Sequence, residues 1–279
     1  MTRKDEVVFL IQKYIPHYRK RFYERLCARS GRKIIVCADD EERRRSDPDL
    51  ASLRECTFDA VRMPLRWLLR ERLYIQDYRL PFSQYGTPTA IIVEHNARSI
   101  LLPALLFYAR AENIPVLLWG HGGSRQRAIE GGDPRDVYHR WLVRRCNGYI
   151  CYSDSVADAL ATLVGGEKLT VASNTIDTHR HCEIRRRCES STSPLMTERL
   201  RMGHEYTVAY CGRLVNNKRP HYVIDVVEVL RDRGWDVGAR IIGDGPMGAR
   251  MKRLARDRKW AKLVGRVTDP EKVGPQLYA

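Results

Sequence analysis

Short apolar runs rich in β-branched residues recur along this chain with helical stretches between them, and this alternation restricts the fold more than any other feature. The runs fall at residues 7–11, 33–37, 89–93, 116–119, 148–151 and 169–172, with a weaker one at 57–61. Strands separated by helices pair as a parallel sheet with helices on its faces. The first helix, at 18–28, places Tyr18, Phe22, Tyr23, Leu26 and Cys27 on one face, with Pro16 before it and Gly31 after it as start and stop signals. Further helices are expected at 99–112, 136–145 and 155–163, while 62–88 mixes helical and loop signals and receives no assignment. Residues 1–178 therefore read as one doubly wound α/β domain.

From 179 to 205 the pattern breaks into a polar, charged, punctuated stretch that reads as a connection between domains. A second α/β unit spans 206–279. It has strands at 206–210, 239–242 and 261–264, a helix at 222–232 with Val223, Val226, Val227 and Leu230 inward, and another helix at 247–259. Asp269-Pro270-Glu271 opens a last helix with an N-cap, a proline at its first position and an acidic first turn. Three strands are half of an open nucleotide-binding sheet, so the second domain is expected to be incomplete, with an open strand edge.

Composition narrows the partners. Of 279 residues 43% are hydrophobic, which excludes wholesale disorder, and 49 Lys+Arg against 34 Asp+Glu leave a net charge of +15. Residues 206–279 alone hold 15 Lys+Arg and 8 Asp+Glu. Such a surface suits nucleotide phosphates, anionic lipid or nucleic acid, the plain alternative being basic residues that only solvate it. The first helix carries Arg19, Lys20, Arg21, Arg25 and Arg29 beside its aromatics, so it either docks on an anionic membrane surface or solvates an ordinary packed helix. The eight cysteines include no C-x-x-C pair, and residues 1–6 lead straight into a strand rather than a signal peptide; reduced thiols and a cytoplasmic location are expected. His179, His181, Cys182 and Cys188 match no standard zinc spacing. No run approaches the ~20 apolar residues of a membrane span.

The most informative stretch is Tyr210-Cys211-Gly212-Arg213-Leu214-Val215-Asn216-Asn217-Lys218-Arg219-Pro220, between a strand and a helix. Gly212 permits a tight turn, and Arg213 and Lys218 can both reach over the strand ends to offer a diphosphate a forked guanidinium and a point charge. By itself this could equally be a solvated basic turn. The next strand ends in Gly243-Asp244-Gly245-Pro246, an ordinary βα turn whose value is its position, since successive parallel strands put these loops on one side of the sheet. In the first domain His121 follows the strand at 116–119 inside Gly120, Gly122 and Gly123, where a ligand-facing role competes with a structural one. No Gly-x-Gly-x-x-Gly follows residues 7–11, which argues against a dinucleotide cofactor.

Taken in order, Gly212-Arg213-Leu214 with Lys218, then Gly243-Asp244-Gly245-Pro246, then Gly265-Arg266-Val267, resemble the donor half of the retaining family 4 glycosyltransferases, which are built from two Rossmann-like domains in the GT-B arrangement. Pro16-His17-Tyr18-Arg19 with Phe22-Tyr23-Glu24, Trp119-Gly120-His121-Gly122 and Ser173-Asn174-Thr175-Ile176-Asp177 resemble their first-domain segments. The resemblance implies transfer of a hexose from a nucleoside diphosphate sugar to a glycan or lipid-linked acceptor, with no cofactor, no metal and no nucleic-acid partner. It implies that Arg213 and Lys218 stabilise the departing diphosphate, that His121 orients the transferred sugar, and that Gly212, Gly243, Asp244, Gly245, Pro246, Asn174, Gly120 and Gly122 line the substrates. The family's pair of donor-holding glutamates has no counterpart in 263–279, where Glu271 is a helix-start residue, so the chain by itself is expected to transfer no sugar. A non-catalytic remnant or binding protein, and a sugar-nucleotide epimerase on the same fold, are the alternatives.

Overall fold

The computed structural model describes residues 6–40, 50–123, 133–174, 176–190, 203–267 and 269–278. Residues 1–5, the 191–202 part of the expected connection, and Thr175 of the closing turn lie outside them. The chain divides into two compact units, Met1–Asp177 and Thr178–Ala279.

The first unit is organised by β1 (Val7–Ile11), whose residues alternate between the two sheet faces. Phe9 and Ile11 join one core and Val8 and Leu10 the other, so a strand apolar on both sides is buried between layers. It pairs in parallel with β2 (Lys33–Ala38) on one side and β6 (Ala90–Glu94) on the other. With β3 (Ala60–Arg62), β7 (Val116–Gly120), β8 (Gly148–Cys151) and β9 (Leu169–Val171) the sheet order is β3-β2-β1-β6-β7-β8-β9. The chain first builds outward from β1 through β2 and β3, then returns to build the other way from β6. The gap between β1 and β6 is thus a topological switch point, the place where open α/β sheets hold ligands at their carboxyl ends.

Helices α3 (Leu102–Ala111), α4 (Pro134–Arg145) and α5 (Asp154–Val164) cover one face, and α1 (His17–Arg29) the other. Their ends follow local chemistry. Asp133 caps α4 at 2.8 Å from the Arg135 amide with Pro134 behind it, and Ser153 caps α5. The segment left unassigned, 62–88, folds as an antiparallel hairpin of β4 (Leu65–Leu68) and β5 (Leu73–Gln76) followed by α2 (Arg79–Tyr85).

Helix α1 departs from expectation. Tyr18 and Phe22 stay 43% and 36% exposed, while Tyr23 is fully buried and Arg19 is 6% exposed. The buried stripe is therefore Arg19, Tyr23, Leu26 and Cys27, spaced i, i+4, i+7, i+8, rather than one centred on the aromatics. Arg19 leaves the basic face. Of the remainder, Lys20 lies 4.0 Å from Glu55, and Arg21 and Arg25 lie 3.8 and 3.9 Å from Asp177. Among the described residues no helix is long and apolar enough to cross a membrane.

The second unit begins with α6 (Thr178–Ser190), a helix where the sequence suggested a connection. It packs on α9 (Pro270–Tyr278) through Arg187, whose guanidinium meets both Glu271 oxygens at 2.8 and 2.9 Å. Between them lie β10 (Tyr206–Cys211), α7 (Tyr222–Asp232), β11 (Val237–Ile242), α8 (Gly248–Ala255) and β12 (Ala261–Gly265), with the strands parallel in the order β10-β11-β12. Strand β11 is buried along its whole length. Ala239 and Ile241 enter the apolar core, and Arg240, 2% exposed, donates to the Gln276 carbonyl of α9 at 2.8 Å. On α7 the inward stripe is Val223, Ile224, Val227 and Leu230; Val226, expected inward, is 49% exposed because it lies one helical step, about 100°, from Val227.

Candidate active site

Every first-unit group of interest sits where a strand hands over to its loop at the carboxyl edge of the sheet. Gln12 and Lys13 follow β1, His95 follows β6, Gly120 ends β7 ahead of His121, Tyr152 follows β8, and Asn174 lies just past β9. Glu94 Oε2 accepts the Lys13 amide at 3.1 Å across the switch point. His121 packs its ring edge-on against Tyr152, centroids 4.4 Å apart. The Tyr152 hydroxyl takes a hydrogen bond from Arg19 Nη2 at 2.5 Å, and Asn174 Oδ1 takes another at 3.1 Å. His121, Tyr152, Arg19 and Asn174 form one connected group, of which His121 and Asn174 were expected from sequence. Arg19 was read as a surface cation and Tyr152 was missed. The rule that singled out His121, a polar residue just past a strand's carboxyl end, applies equally to Tyr152.

The glycines flanking His121 have a structural reason. A Cβ on Gly120 would lie 3.2 Å from both His95 Cβ and the Tyr149 hydroxyl. Gly122 has φ +75°, and a Cβ there would meet Val156 and Leu160 at 3.3 Å. The Gly122 amide donates to the Tyr149 hydroxyl at 2.8 Å, and that hydroxyl lies 2.7 Å from His95 Nδ1. Burial holds the Tyr149 phenol protonated, far above its ordinary range. His95 Nε2 lies in turn 3.1 Å from His139 Nδ1. The loop bearing His121 thus hangs on a hydrogen-bonded chain of four groups.

Burial, with His139 adding to it, pushes His95 down to about 3. The unfolded value is near 6.5, so below that pH the unfolded chain takes up the proton that the folded chain refuses. Stability of the first unit from this source is complete above pH 6.5 and is lost as pH falls toward 3. The urea midpoint of the first unit should drop through this range, and His95→Gln should make the drop shallower.

In the second unit the loops after β10 and β11 run side by side. The Gly212 amide donates to the Ile242 carbonyl, Leu214 to Asp244 and Met247 to Leu214, each at 2.9 Å, and Gly243 to Gly265 at 2.8 Å. The strand ladder therefore continues past the strand ends into the loops. A Cβ on Gly243 (φ +146°) would collide with the Gly212 carbonyl oxygen, and one on Gly245 (φ +151°) would come within 2.7 Å of the Leu214 carbonyl oxygen. These glycines admit a neighbouring backbone. The Tyr210 hydroxyl fastens the Arg213 carbonyl at 2.9 Å, and Asp244 Oδ1 accepts the Gly245 amide at 2.7 Å. Lys218 closes a short 3-10 turn, Asn216–Lys218, held by Arg219 in the left-handed region. On this braced platform the side chains of Arg213 and Lys218 are exposed and make no ion pair among the described residues. Pro246 is exposed two residues before α8.

Residues 18–180, more than half of the chain, match the model of Glycosyltransferase Family 4. The chain belongs to that family. Solved structures extend the likeness across both units of this family 4 chain. HepE of Anabaena, in complex with UDP, is 15% identical with a TM-score of 0.62 over 96% of this chain and 71% of its own. A glycosyltransferase from Rickettsia africae gives 0.65 at 11% identity over 98% and 71%. The UDP-GlcNAc 2-epimerase of Neisseria meningitidis, bound to UDP-GlcNAc, gives 0.57 at 12% over 96% and 75%. At these identities the likeness shows the fold, two Rossmann-like units of the GT-B class. No curated protein matches the chain.

Proposed function

We propose that this family 4 chain binds a nucleoside diphosphate sugar on its second unit for a reaction that passes the hexose, with retention, to a glycan or lipid-linked acceptor; without a counterpart in 263–279 of the family's donor-holding glutamates, the chain on its own is expected to bind the donor and not to complete the transfer. The observation that carries the reading is the loop after β10, braced by the loop after β11, which holds two exposed cations, Arg213 and Lys218, that make no ion pair among the described residues. That HepE is seen with UDP and the epimerase with UDP-GlcNAc supports the ligand class.

Breaking the bond between sugar and diphosphate leaves negative charge on the departing phosphate. Arg213 can meet two of its oxygens with parallel N–H groups and Lys218 a third with its ammonium. Both stand on a preorganised backbone, so stabilising that charge requires little rearrangement. This basic pair takes the part a divalent metal would otherwise play. Retention follows if the departing phosphate oxygen accepts the acceptor's proton on the face the leaving group vacates. His121 orients a sugar hydroxyl, and Asn174 lines the same rim. Eight free thiols suit a reducing, cytoplasmic setting.

Titration with UDP and with uridine tests the reading. Each charge-assisted hydrogen bond is worth about 1.5–3 kcal/mol, so Arg213→Ala or Lys218→Ala should weaken UDP binding about 10- to 100-fold and leave uridine binding nearly unchanged. Equal losses for both ligands would place the diphosphate elsewhere. Structural likeness to the epimerase keeps a second reading in view. A UDP-sugar recovered with its sugar epimerised, rather than transferred or released, would favour it.

A further inference from the structure

Arg19 is charged at every working pH, yet it is 6% exposed. Its Nη1 donates to Gln12 Oε1 at 3.2 Å, and its Nη2 to the Tyr152 hydroxyl and Asn174 Oδ1 at 2.5 and 3.1 Å. The Trp119 and Tyr152 ring centroids lie 5.1 and 5.0 Å from the guanidinium carbon. All of these partners are neutral, and among the described residues no carboxylate pairs with it. Glu94 is close enough to raise the Tyr152 phenol pKa, but its Oε2 is turned to the Lys13 amide. Asp177 faces Arg21 and Arg25, and Asp39 faces Arg62.

A buried cation costs several kcal/mol unless an opposite charge compensates it, so a fastener between a helix and two loops would be more stable built from neutral groups. The guanidinium has five N–H groups; one Nη1 and both Nη2 hydrogens go to Gln12, Tyr152 and Asn174, the buried and neutral Tyr23 hydroxyl lies beside it, and no partner supplies a negative charge. It lies at the carboxyl edge of the parallel sheet, and Tyr152 joins it to His121.

We propose that Arg19, held in register by Gln12, Tyr152 and Asn174, is an anion-binding centre of the first unit, and that its ligand is a phosphate or carboxylate carried by the sugar acceptor. The neutral partners fix the plane of the guanidinium without neutralising it, which leaves its charge for an oxyanion. Assigning that anion to the acceptor rests on the transferase reading; the anion site itself does not.

The basic loop of the second unit also attracts phosphate, so the test uses the full chain carrying Arg213→Ala and Lys218→Ala. It is titrated with glucose 1-phosphate, glucuronate and glucose at low salt, and sedimented with neutral phosphatidylcholine vesicles with and without a polyprenyl phosphate. Either anionic sugar should bind about tenfold or more tighter than glucose, and adding Arg19→Gln should abolish that preference. Arg19→Lys, which keeps the charge but not the planar group that Gln12, Tyr152 and Asn174 hold in register, should lose most of it. Asn174→Ala, at an exposed position, should weaken the anion several-fold at an unchanged urea midpoint, and it decides the matter if Arg19→Gln does not fold. Arg19-dependent sedimentation only with polyprenyl phosphate places the anion on a lipid; preference for the free anionic sugars alone places it on a soluble acceptor. Glucose binding as well as both anionic sugars without Arg19-dependent sedimentation, or an anion preference that survives Arg19→Gln and Asn174→Ala, overturns the proposal. Failure of the transferase reading would appear separately, as equal UDP and uridine losses on changing the intact basic loop.

Discussion

Gly243→Ala is expected to destabilise the second unit by about 3 kcal/mol or more, although it adds a single methyl group. Two costs combine. The new Cβ would collide with the Gly212 carbonyl oxygen, a backbone atom that moves only if the loop after β10 moves with it. The backbone at Gly243 also has φ +146°, where a residue with a side chain is strained. Against a domain stability of about 5–15 kcal/mol this is a large fraction. Relief by displacing the Gly212 loop would break the Gly212–Ile242 and Leu214–Asp244 hydrogen bonds and carry Arg213 with it. UDP binding should therefore fall although neither cation is touched. Urea unfolding and hydrogen exchange over residues 206–265 would report the first effect and calorimetry the second. Gly166→Ala is the control, since a Cβ there meets nothing within 4 Å. A variant as stable as the parent would show that the two loops are not held backbone to backbone.

The second large effect is expected in the first unit. Tyr149→Phe removes one oxygen and leaves two polar groups without their partner, the Gly122 amide and His95 Nδ1. A buried polar group left unsatisfied costs about 1–3 kcal/mol, so with two such groups the variant should lose about 2–6 kcal/mol in all. The loss should be local in its dynamics. The Gly122 amide should exchange with solvent much faster, while amides of β1 and β7 keep their protection. An unchanged Gly122 exchange rate would mean that the His121 loop is held by packing alone.

The position of the candidate site's loops was legible in the sequence because it depends on local chemistry. Arg213 and Lys218 lie on one loop that begins at the carboxyl end of β10, and the glycines at 243 and 245 follow β11, so their placement follows from strand order. His121 was visible for the same reason. The hairpin and helix within 62–88 were not, because short elements carry too few residues for a period to emerge. The helix at Thr178–Ser190 was hidden by its polar composition; one apolar residue, Ile184, is buried, and the helix is tied to α9 by an ion pair formed across 84 positions of chain.

The sequence by itself determined the alternation of strands and helices, hence the two parallel sheets and the carboxyl edges at which chemistry can occur. Hydrophobic period and turn residues act over a few neighbours, and those are written consecutively in the chain. Tertiary structure decided which side of α1 faces the sheet, and with it that Arg19 is buried rather than solvated. The reason is that its partners, Tyr152 and Asn174, lie 133 and 155 residues away and are neutral, so no local pattern of charge or hydrophobicity announces them. It likewise decided what Gly243 is for, since the carbonyl that would strike its Cβ belongs to Gly212 on the neighbouring strand's loop, and steric exclusion between two backbones exists only once both strands are in register.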